Sequence, residues 1–296
     1  MARTTPPRPL DVEALFPEVA AFRKAAVRLH PRLGAPCARD SSLGGPLLWP
    51  RAQPWPHCED DHPHTRYAPT EIPVPLVPVL QLFATDVPDL VFPAGTDVLQ
   101  VLWCPFDHEE GYVPRPEVFR WNSSRGDLGP ADPPRPAGAS DNYLPNPCVL
   151  HPERVTDYPS WDLPDGLRDA LQDRFDQVEE ETGWSYEYHL SVSDGIKAGG
   201  YPTWTQEPDW PDCPTCDRRM DHLLTLNSAE FDGASWRTWL PVEDTPAEGT
   251  IRDLPYEERT RIQRPPGLML GDMGGIYLFE CPGCPDRPFD HRSDCS

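Results

Sequence analysis

The second half of the chain contains the stretch Gly199-Gly-Tyr-Pro-Thr-Trp-Thr-Gln-Glu-Pro-Asp-Trp-Pro-Asp-Cys213-Pro-Thr-Cys216. The first half contains a similar stretch, Gly44-Gly-Pro-Leu-Leu-Trp-Pro-Arg-Ala-Gln-Pro-Trp-Pro-His-Cys58. The paired glycines, both tryptophans, one proline and one cysteine coincide without a gap. An internal duplication is the simplest account of this match, and chance similarity between two loops rich in tryptophan and proline is the alternative.

Both halves show the same order of predicted elements around these stretches. Apolar spacing predicts helices over Leu10–Leu29 and Asp165–Glu181. Apolar and β-branched runs predict strands over Val77–Phe83, Val98–Trp103, Trp184–Val192, Leu223–Leu226 and Ile276–Glu280. We interpret residues 122–146 as a long loop and residues 238–264 as an insertion. We therefore expect an α+β fold that is internally duplicated, with mainly antiparallel sheets, a few helices and two pseudo-equivalent halves, 1–145 and 146–296, that form one domain.

The composition sets limits on partners and location. The formal net charge of −22 repels the phosphate backbone of nucleic acids, so we expect no nucleic-acid partner. No apolar run approaches the roughly 18 residues of a spanning helix, so we expect no membrane segment. The N-terminus lacks the apolar region of a signal peptide, which predicts a cytoplasmic protein whose nine cysteines are thiols or metal ligands.

Two Cys-x-x-Cys pairs carry the clearest chemistry. Cys213-Pro-Thr-Cys216 and Cys281-Pro-Gly-Cys284 each offer two thiolates from a tight turn, and together they complete a four-cysteine shell. Four thiolates close the coordination sphere of a tetrahedral ion, which predicts one structural zinc. The alternatives are a redox-active cysteine pair, plain buried cysteines, and an iron–sulfur cluster on the same four residues.

The duplication extends the metal hypothesis to the first half. The aligned pairs are Cys58 with Cys213, Cys104 with Cys281, and Asp107 with Cys284. A second metal site would draw its ligands from Cys58, His62, His64, Cys104 and His108. The alternative is a site that has lost its metal, with its histidines on a solvated acidic loop, because none of these ligand spacings is standard.

Other residues in the repeated stretches suggest backbone, core or pocket roles. The paired glycines indicate positions with positive φ or a close backbone approach. The four tryptophans are more typical of a core than of ligand stacking. A polar pocket in the second half is a further hypothesis, and its lining would be Lys197, Gln206, Asp232 and Asp272. The alternative is a surface lysine beside turn-forming acids.

Several of these segments resemble signatures of the YwqG-like family, a bacterial domain of unknown function. They are Lys197-Ala-Gly-Gly-Tyr-Pro-Thr-Trp-Thr-Gln206, Leu270-Gly-Asp-Met-Gly-Gly-Ile-Tyr-Leu-Phe279, and Gly44-Gly-Pro with Pro78-Val-Leu-Gln-Leu82. The resemblance implies a duplicated α+β fold around antiparallel sheet and supplies no established reaction. Family members are suspected of interaction or immunity-type roles near secreted-toxin loci. The cysteine pairs depart from the family pattern, so the resemblance does not imply zinc.

Two functions are consistent with the sequence. The first is a zinc-stabilised binding or interaction protein of immunity type, whose acidic surface suits a basic protein partner. The second is a metal-dependent hydrolase in which Cys58, Cys104 and His108 hold a metal-bound water and Asp107 or Glu109 acts as the base. The sequence leans towards the interaction protein and leaves enzymatic activity open.

Overall fold

The computed structural model describes residues 2–62, 69, 72–108, 113–133 and 135–295, and the chain divides into two compact units. Unit 1 comprises Met1–His30, His151–Gln263 and Tyr277–Arg292. Unit 2 comprises Pro31–Leu150, Arg264–Ile276 and Ser293–Ser296. These units are composed differently from the predicted halves 1–145 and 146–296, because the beginning of the chain groups with the second Gly-Gly stretch.

The described residues form sixteen strands and four α-helices, numbered in chain order. The strands are β1 (Lys24–Arg28), β2 (Arg32–Leu33), β3 (Ser42–Leu43), β4 (Leu47–Pro50), β5 (His57–Cys58), β6 (Val74–Pro75), β7 (Val77–Phe83), β8 (Val98–Cys104), β9 (Arg115–Trp121), β10 (Leu128–Ala131), β11 (Cys148–Val149), β12 (Glu153–Asp157), β13 (Lys197–Gly199), β14 (Asp221–Asn227), β15 (Gly275–Glu280) and β16 (Phe289–Asp294). The helices are α1 (Val12–Leu15), α2 (Asp165–Thr182), α3 (Trp236–Trp239) and α4 (Tyr256–Gln263). The predicted α+β class with mostly antiparallel sheets is confirmed.

Unit 1 is built on a six-stranded sheet with the order β12-β1-β13-β14-β15-β16. Strand β1 lies between two antiparallel partners, so that Arg28 faces Glu153 on β12 and Lys197 on β13. This pairing places an early segment of the chain inside a sheet made of late segments. It is the physical reason why the first residues of the chain belong to unit 1.

The prediction of a helix over Leu10–Leu29 is wrong beyond Phe22. Helix α1 and the 3-10 segment Pro17–Phe22 account for the helical apolar spacing, since Phe16 and Val19 are buried. The following residues form β1, where two ladders of hydrogen bonds to β12 and β13 outweigh local helix propensity.

The second helix is confirmed as α2, and the strand predicted next to it is wrong. Leu171 and Phe175 on α2 are buried against Tyr186 and Leu190. These last two residues lie in a π-helical turn, Tyr186–Leu190, which replaces the predicted strand over Trp184–Val192. Among the described residues, no helix is long and apolar enough to cross a lipid bilayer.

Two further segments differ from their predicted description as loop or insertion. Residues 122–146, predicted as a long loop, contain strand β10 and the 3-10 turn Asp141–Tyr143. Residues 238–264, predicted as an insertion, contain α4 and two 3-10 turns, Val242–Asp244 and Ile251–Asp253. Regular structure thus continues through both segments despite their glycine, proline and acidic content.

Unit 2 is built on a second six-stranded sheet with the order β2-β11-β3-β7-β8-β9. Strand β8 is buried along its whole length and pairs antiparallel with β7 and β9. Two small antiparallel pairs, β4 with β10 and β5 with β6, complete the unit. The last residue of β8 is Cys104, which lies opposite Arg115 on β9.

The two sheets contain the same run of strands. Strands β3-β7-β8-β9 are neighbours in one sheet in the order in which β13-β14-β15-β16 are neighbours in the other, and β3 and β13 lead into the two Gly-Gly stretches. Strand β8 ends on Cys104, and β15 ends one residue before Cys281. This correspondence is what an internal duplication would produce, and the duplication itself stays a prediction.

Gly44 meets a backbone requirement, as the sequence predicts. Its φ is +63°, and a Cβ atom there would lie 2.6 Å from the carbonyl oxygen of Asn146 and closer still to that of Pro145. The neighbouring backbone is held in place because the amide of Asn146 donates to the carbonyl of Pro266 at 2.7 Å. A side chain at residue 44 would therefore clash with this backbone.

We expect Gly44→Ala to lower the free energy of unfolding more than Gly95→Ala does. Gly95 has a φ of +80°, and a Cβ atom there would meet no other atom within 4 Å, so this control reports the cost of positive φ alone, about 1–2 kcal/mol. Gly44→Ala adds a contact with fixed carbonyls, which costs about 1–3 kcal/mol more, so its total should be about 2–5 kcal/mol. Urea denaturation measures both, and equal costs would contradict the assigned role of the close approach.

Candidate metal centres

Four cysteine side chains come together at one end of the unit 1 sheet. Cys213 and Cys216 lie in a tight turn in which the amide of Cys213 donates to the carbonyl of Arg218 at 2.8 Å. Cys281 follows β15 directly, and Cys284 lies in the next turn. Their four sulfurs lie within 4.8 Å of one another, so the two sequence pairs form one group that can hold a metal ion.

The distances within this group match the edges of a metal-centred tetrahedron. The sulfurs of Cys213 and Cys284 are 3.8 Å apart, and those of Cys216 and Cys281 are 3.6 Å apart. Zinc–sulfur bonds of about 2.3 Å in tetrahedral geometry require sulfur–sulfur separations of about 3.8 Å. None of the nine cysteines forms a disulfide. The thiols therefore remain available as ligands.

An arginine beside Cys216 favours the thiolate form of that cysteine, and aromatic side chains pack against the buried members of the group. The Nε of Arg218 lies 3.4 Å from the sulfur of Cys216, and this hydrogen bond lowers the pKa of Cys216 to about 6. Trp204 and Phe279 pack against the buried cysteines. Because the thiolate is the form that binds metals, the guanidinium of Arg218 prepares the exposed corner of the group for an ion.

A second group lies in unit 2, with Cys58 on β5 and Cys104 at the end of β8. The Nε2 atom of His62 is 3.7 Å from the sulfur of Cys58 and 3.4 Å from that of Cys104. His108 completes the group, and all four ligand atoms lie within 4.8 Å of one another. The hydrogen bond between the two cysteines lowers the pKa of Cys58 and raises the pKa of Cys104. Cys58 is thus the preferred thiolate of the pair.

The second ring nitrogen of each of the two converging histidines, His62 and His108, has an oxygen partner. The Nδ1 atom of His62 lies 3.3 Å from the carbonyl oxygen of Asp107, and the Nδ1 atom of His108 lies 3.1 Å from a carboxylate oxygen of Asp60. Arg115 contacts both Asp60 and Cys58. Its guanidinium lies 2.6 Å from a carboxylate oxygen of Asp60 and 3.5 Å from the sulfur of Cys58. Metal-binding histidines usually donate their other N–H to a carboxylate or carbonyl in this way.

Comparison with known proteins assigns this chain to no family. No family model matches the chain, and no curated protein matches it. The YwqG-like resemblance therefore rests on the sequence motifs alone. What the structure supports by itself is a pair of residue groups, one in each unit, that can hold a metal ion.

The structure selects among the ligands that the sequence offered for unit 2. Cys58, His62, Cys104 and His108 converge, whereas His57, in the same predicted loop, is exposed and bonds through Nδ1 to a backbone carbonyl. Asp107, aligned with Cys284, instead accepts a hydrogen bond from the hydroxyl of Tyr143 at 2.6 Å. His64 and Glu109 lie outside the described residues.

The predicted polar pocket does not form around Lys197. Its side chain is fully buried, and its ammonium donates to the carboxylate of Asp157 at 2.8 Å and to the carbonyl of Ser193 at 2.7 Å. The alternative of a surface lysine is equally wrong. The other three predicted lining residues, Gln206, Asp232 and Asp272, are exposed.

Lys197 and Asp157 each affect the pKa of the other. Burial raises the pKa of Asp157, but the charge of Lys197 together with hydrogen bonds from Lys197 and Ser193 outweighs this effect, and the pKa falls below its usual value. Burial also lowers the pKa of Lys197, and Asp157 opposes that shift. Asp157 further accepts from the amides of Ser193 and Tyr201. The pair therefore connects β12 with β13 and with the residues on both sides of β13.

We expect Lys197→Met to destabilise unit 1 by about 3–5 kcal/mol, because it leaves the carboxylate of Asp157 buried without its cation. The double variant Lys197→Met/Asp157→Asn should be more stable than Lys197→Met alone, since no unpaired charge remains. Urea unfolding of the wild type, both single variants and the double variant completes the thermodynamic cycle. Additive losses would show that the two side chains are not energetically coupled.

Proposed function

We propose that the protein is a zinc-stabilised interaction module whose unit 1 is held by one structural zinc ion. The observation that carries this proposal is the convergence of four cysteine sulfurs at tetrahedral separations. Four thiolates fill the coordination sphere and leave no position for a water or substrate. An ion bound in this way supports a fold and does not take part in a reaction.

Zinc suits this group better than the alternatives that the sequence left open. The ligands of an iron–sulfur cluster bind different iron atoms and stand further apart than the ligands of a single ion. The sulfurs here are as close as those around one zinc. A redox-active pair usually opens a helix, whereas Cys281 follows strand β15. Soft thiolate donors in tetrahedral geometry select zinc among the common divalent metals.

The charge and the sequence motifs support the interaction role. A formal net charge of −22 favours rapid association with a basic protein and disfavours nucleic acids. The YwqG-like motifs suggest membership of a family whose members are suspected of immunity-type roles. A cytoplasmic location is part of the proposal, and it is supported by cysteines that remain thiols, as they do in a reducing compartment.

The hydrolase hypothesis has weaker support. It requires a metal in unit 2 with three protein ligands and an open position. In unit 2 four side chains converge, and the carboxylate of Asp107, one of the two proposed bases, is engaged by Tyr143. No observation on the described residues favours a metal-bound water.

We expect Cys281→Ser to remove one zinc ion per chain and to unfold unit 1. Binding of structural zinc contributes about 10–16 kcal/mol in small zinc domains, which is as large as the whole stability of an ordinary domain, about 5–15 kcal/mol. Elemental analysis and circular dichroism measure the two effects. The control is Cys37→Ser, which changes an exposed thiol outside both groups and should retain zinc and fold. Retention of the full zinc content by Cys281→Ser would overturn the proposed ligand set.

We expect affinity capture with the full chain at low ionic strength to isolate a basic protein. The purified partner should then bind the purified chain saturably, with an affinity that falls steeply as salt rises, because exposed charges are screened within about 10 Å at 0.1 M salt. An unrelated protein of similar negative charge controls for non-specific attraction. A partner that binds both proteins equally, or whose binding is independent of salt, would contradict the proposed charge-based recognition.

A further inference from the structure

We infer that unit 2 binds a zinc ion of its own, with the sulfurs of Cys58 and Cys104 and the Nε2 atoms of His62 and His108 as its four ligands. Asp60 holds His108 in the orientation that this requires. The inference concerns unit 2 and does not depend on the interaction role proposed above. It adds a second metal site with a different donor set, two sulfurs and two nitrogens.

The first support is a buried nitrogen that lacks a hydrogen bond. The side chain of His108 is only 9% exposed, and among the described residues its Nε2 atom has no hydrogen-bond partner. Leaving such a group buried and unsatisfied costs about 1–3 kcal/mol. Its Nδ1 atom lies 3.1 Å from a carboxylate oxygen of Asp60, which leaves Nε2 as the ring nitrogen that can bind an ion. A metal ion at the centre of the group supplies the missing partner.

The second support is the spacing between the remaining ligand atoms. Zinc–sulfur bonds of about 2.3 Å and zinc–nitrogen bonds of about 2.0–2.1 Å require sulfur–nitrogen separations of about 3.6 Å in a tetrahedron. The Nε2 atom of His62 lies 3.7 Å and 3.4 Å from the two sulfurs. All four ligand atoms lie within 4.8 Å of one another, which suits one ion rather than a cluster.

The third support is the burial of the ligand side chains and the backbone conformation of His62. Cys58 and Cys104 are 2% and 1% exposed, and His62 is 4% exposed, so three of the four ligands are removed from water. Phe106 packs against the ring of His62 with 5.4 Å between centroids. His62 also has a φ of +48°, a backbone conformation that L-residues adopt at a cost and that occurs at ligand sites. The ring of His62 is thus buried beside Phe106 and next to both sulfurs.

Asp60 acts on the ion through His108 and is a positioning residue. Its carboxylate accepts from Nδ1 of His108 and also pairs with Arg115, which reaches the sulfur of Cys58. Removing such an outer partner typically lowers metal affinity by 10–100-fold. Asp60 is half-exposed, so its loss should leave the metal-free fold unchanged.

The experiment combines zinc content with X-ray absorption at the zinc edge, using the full chain stripped of metal and reloaded with zinc. We expect two zinc ions per chain with a mean shell of about three sulfurs and about one nitrogen per ion, the average of a four-cysteine site and a mixed site. One ion with an all-sulfur shell would overturn this inference and leave the role proposed for unit 1 intact. One ion with a mixed shell would overturn the structural zinc of unit 1 instead.

Two variants test the ligand set and its outer support. His108→Ala should lose one ion and shift the remaining shell to sulfur alone, whereas His57→Ala, which changes an exposed histidine outside the group, should keep both ions. Asp60→Asn should weaken the unit 2 ion by about 10–100-fold in competition with a chromogenic chelator and leave the unit 1 ion unchanged.

The matched control for Asp60→Asn is Asp61→Asn, which makes the same charge change at the exposed neighbouring residue. Urea unfolding of the metal-free variants separates positioning from stability, because only the metal affinity should change with Asp60→Asn. An equal loss of affinity in both variants, or an unchanged affinity in Asp60→Asn, would overturn the role given to Asp60. Retention of two ions by His108→Ala would overturn the ligand set.

Discussion

The convergence of four sulfurs in unit 1 is the constraint on which the rest of that unit depends. Cys213 and Cys284 are 71 residues apart in sequence, and Cys216 and Cys281 are 65 residues apart. Bringing such distant turns together costs loop entropy, and a small turn cannot recover that cost through its own contacts. Under the proposed function, coordination of one ion by both turns would supply the missing free energy next to the end of β15.

The metal-binding group and the aromatic core of unit 1 reinforce each other. Trp204 contacts Tyr277 and Phe279, with ring centroids 4.7 Å and 6.0 Å apart, and the buried cysteines pack against the same cluster. The repeated stretch therefore has two tasks. Its tryptophans bury apolar area, and its cysteine places a ligand beside them. In unit 2, Trp49 and Cys58 share one cluster in the same manner.

The candidate metal-binding groups of the two units differ in residue type, and their turns also differ in length by one residue. In unit 1 each ligand pair is separated by two residues, as in Cys281-Pro-Gly-Cys284. In unit 2 the separation is three residues, from Cys58 to His62 and from Cys104 to His108. A histidine thus ends each of these longer turns, where a cysteine ends each of the shorter ones. A gapless alignment assigns Asp107 to that position, which explains why the sequence alone left the fourth ligand open.

Local patterns in the sequence were sufficient where the chemistry is local. Strands β7 and β8, helix α2 and the two Cys-x-x-Cys turns follow from apolar runs and ligand spacing. Strand β1 does not, because its pairing with β12 depends on residues more than a hundred positions later. The same holds for Lys197, whose partner Asp157 is 40 residues away. Long-range pairing of this kind has no signature in a single sequence without an alignment.

The account attributes the order of both Cys-x-x-Cys turns in unit 1 to a bound ion, and hydrogen–deuterium exchange tests this most directly. Exchange should be measured on the zinc-loaded chain and after zinc has been removed with a chelator. Because loss of zinc should unfold unit 1, removal should increase exchange at residues 211–220 and 275–288 together with the rest of the unit 1 sheet. Unchanged protection of these residues in the metal-free chain would contradict it.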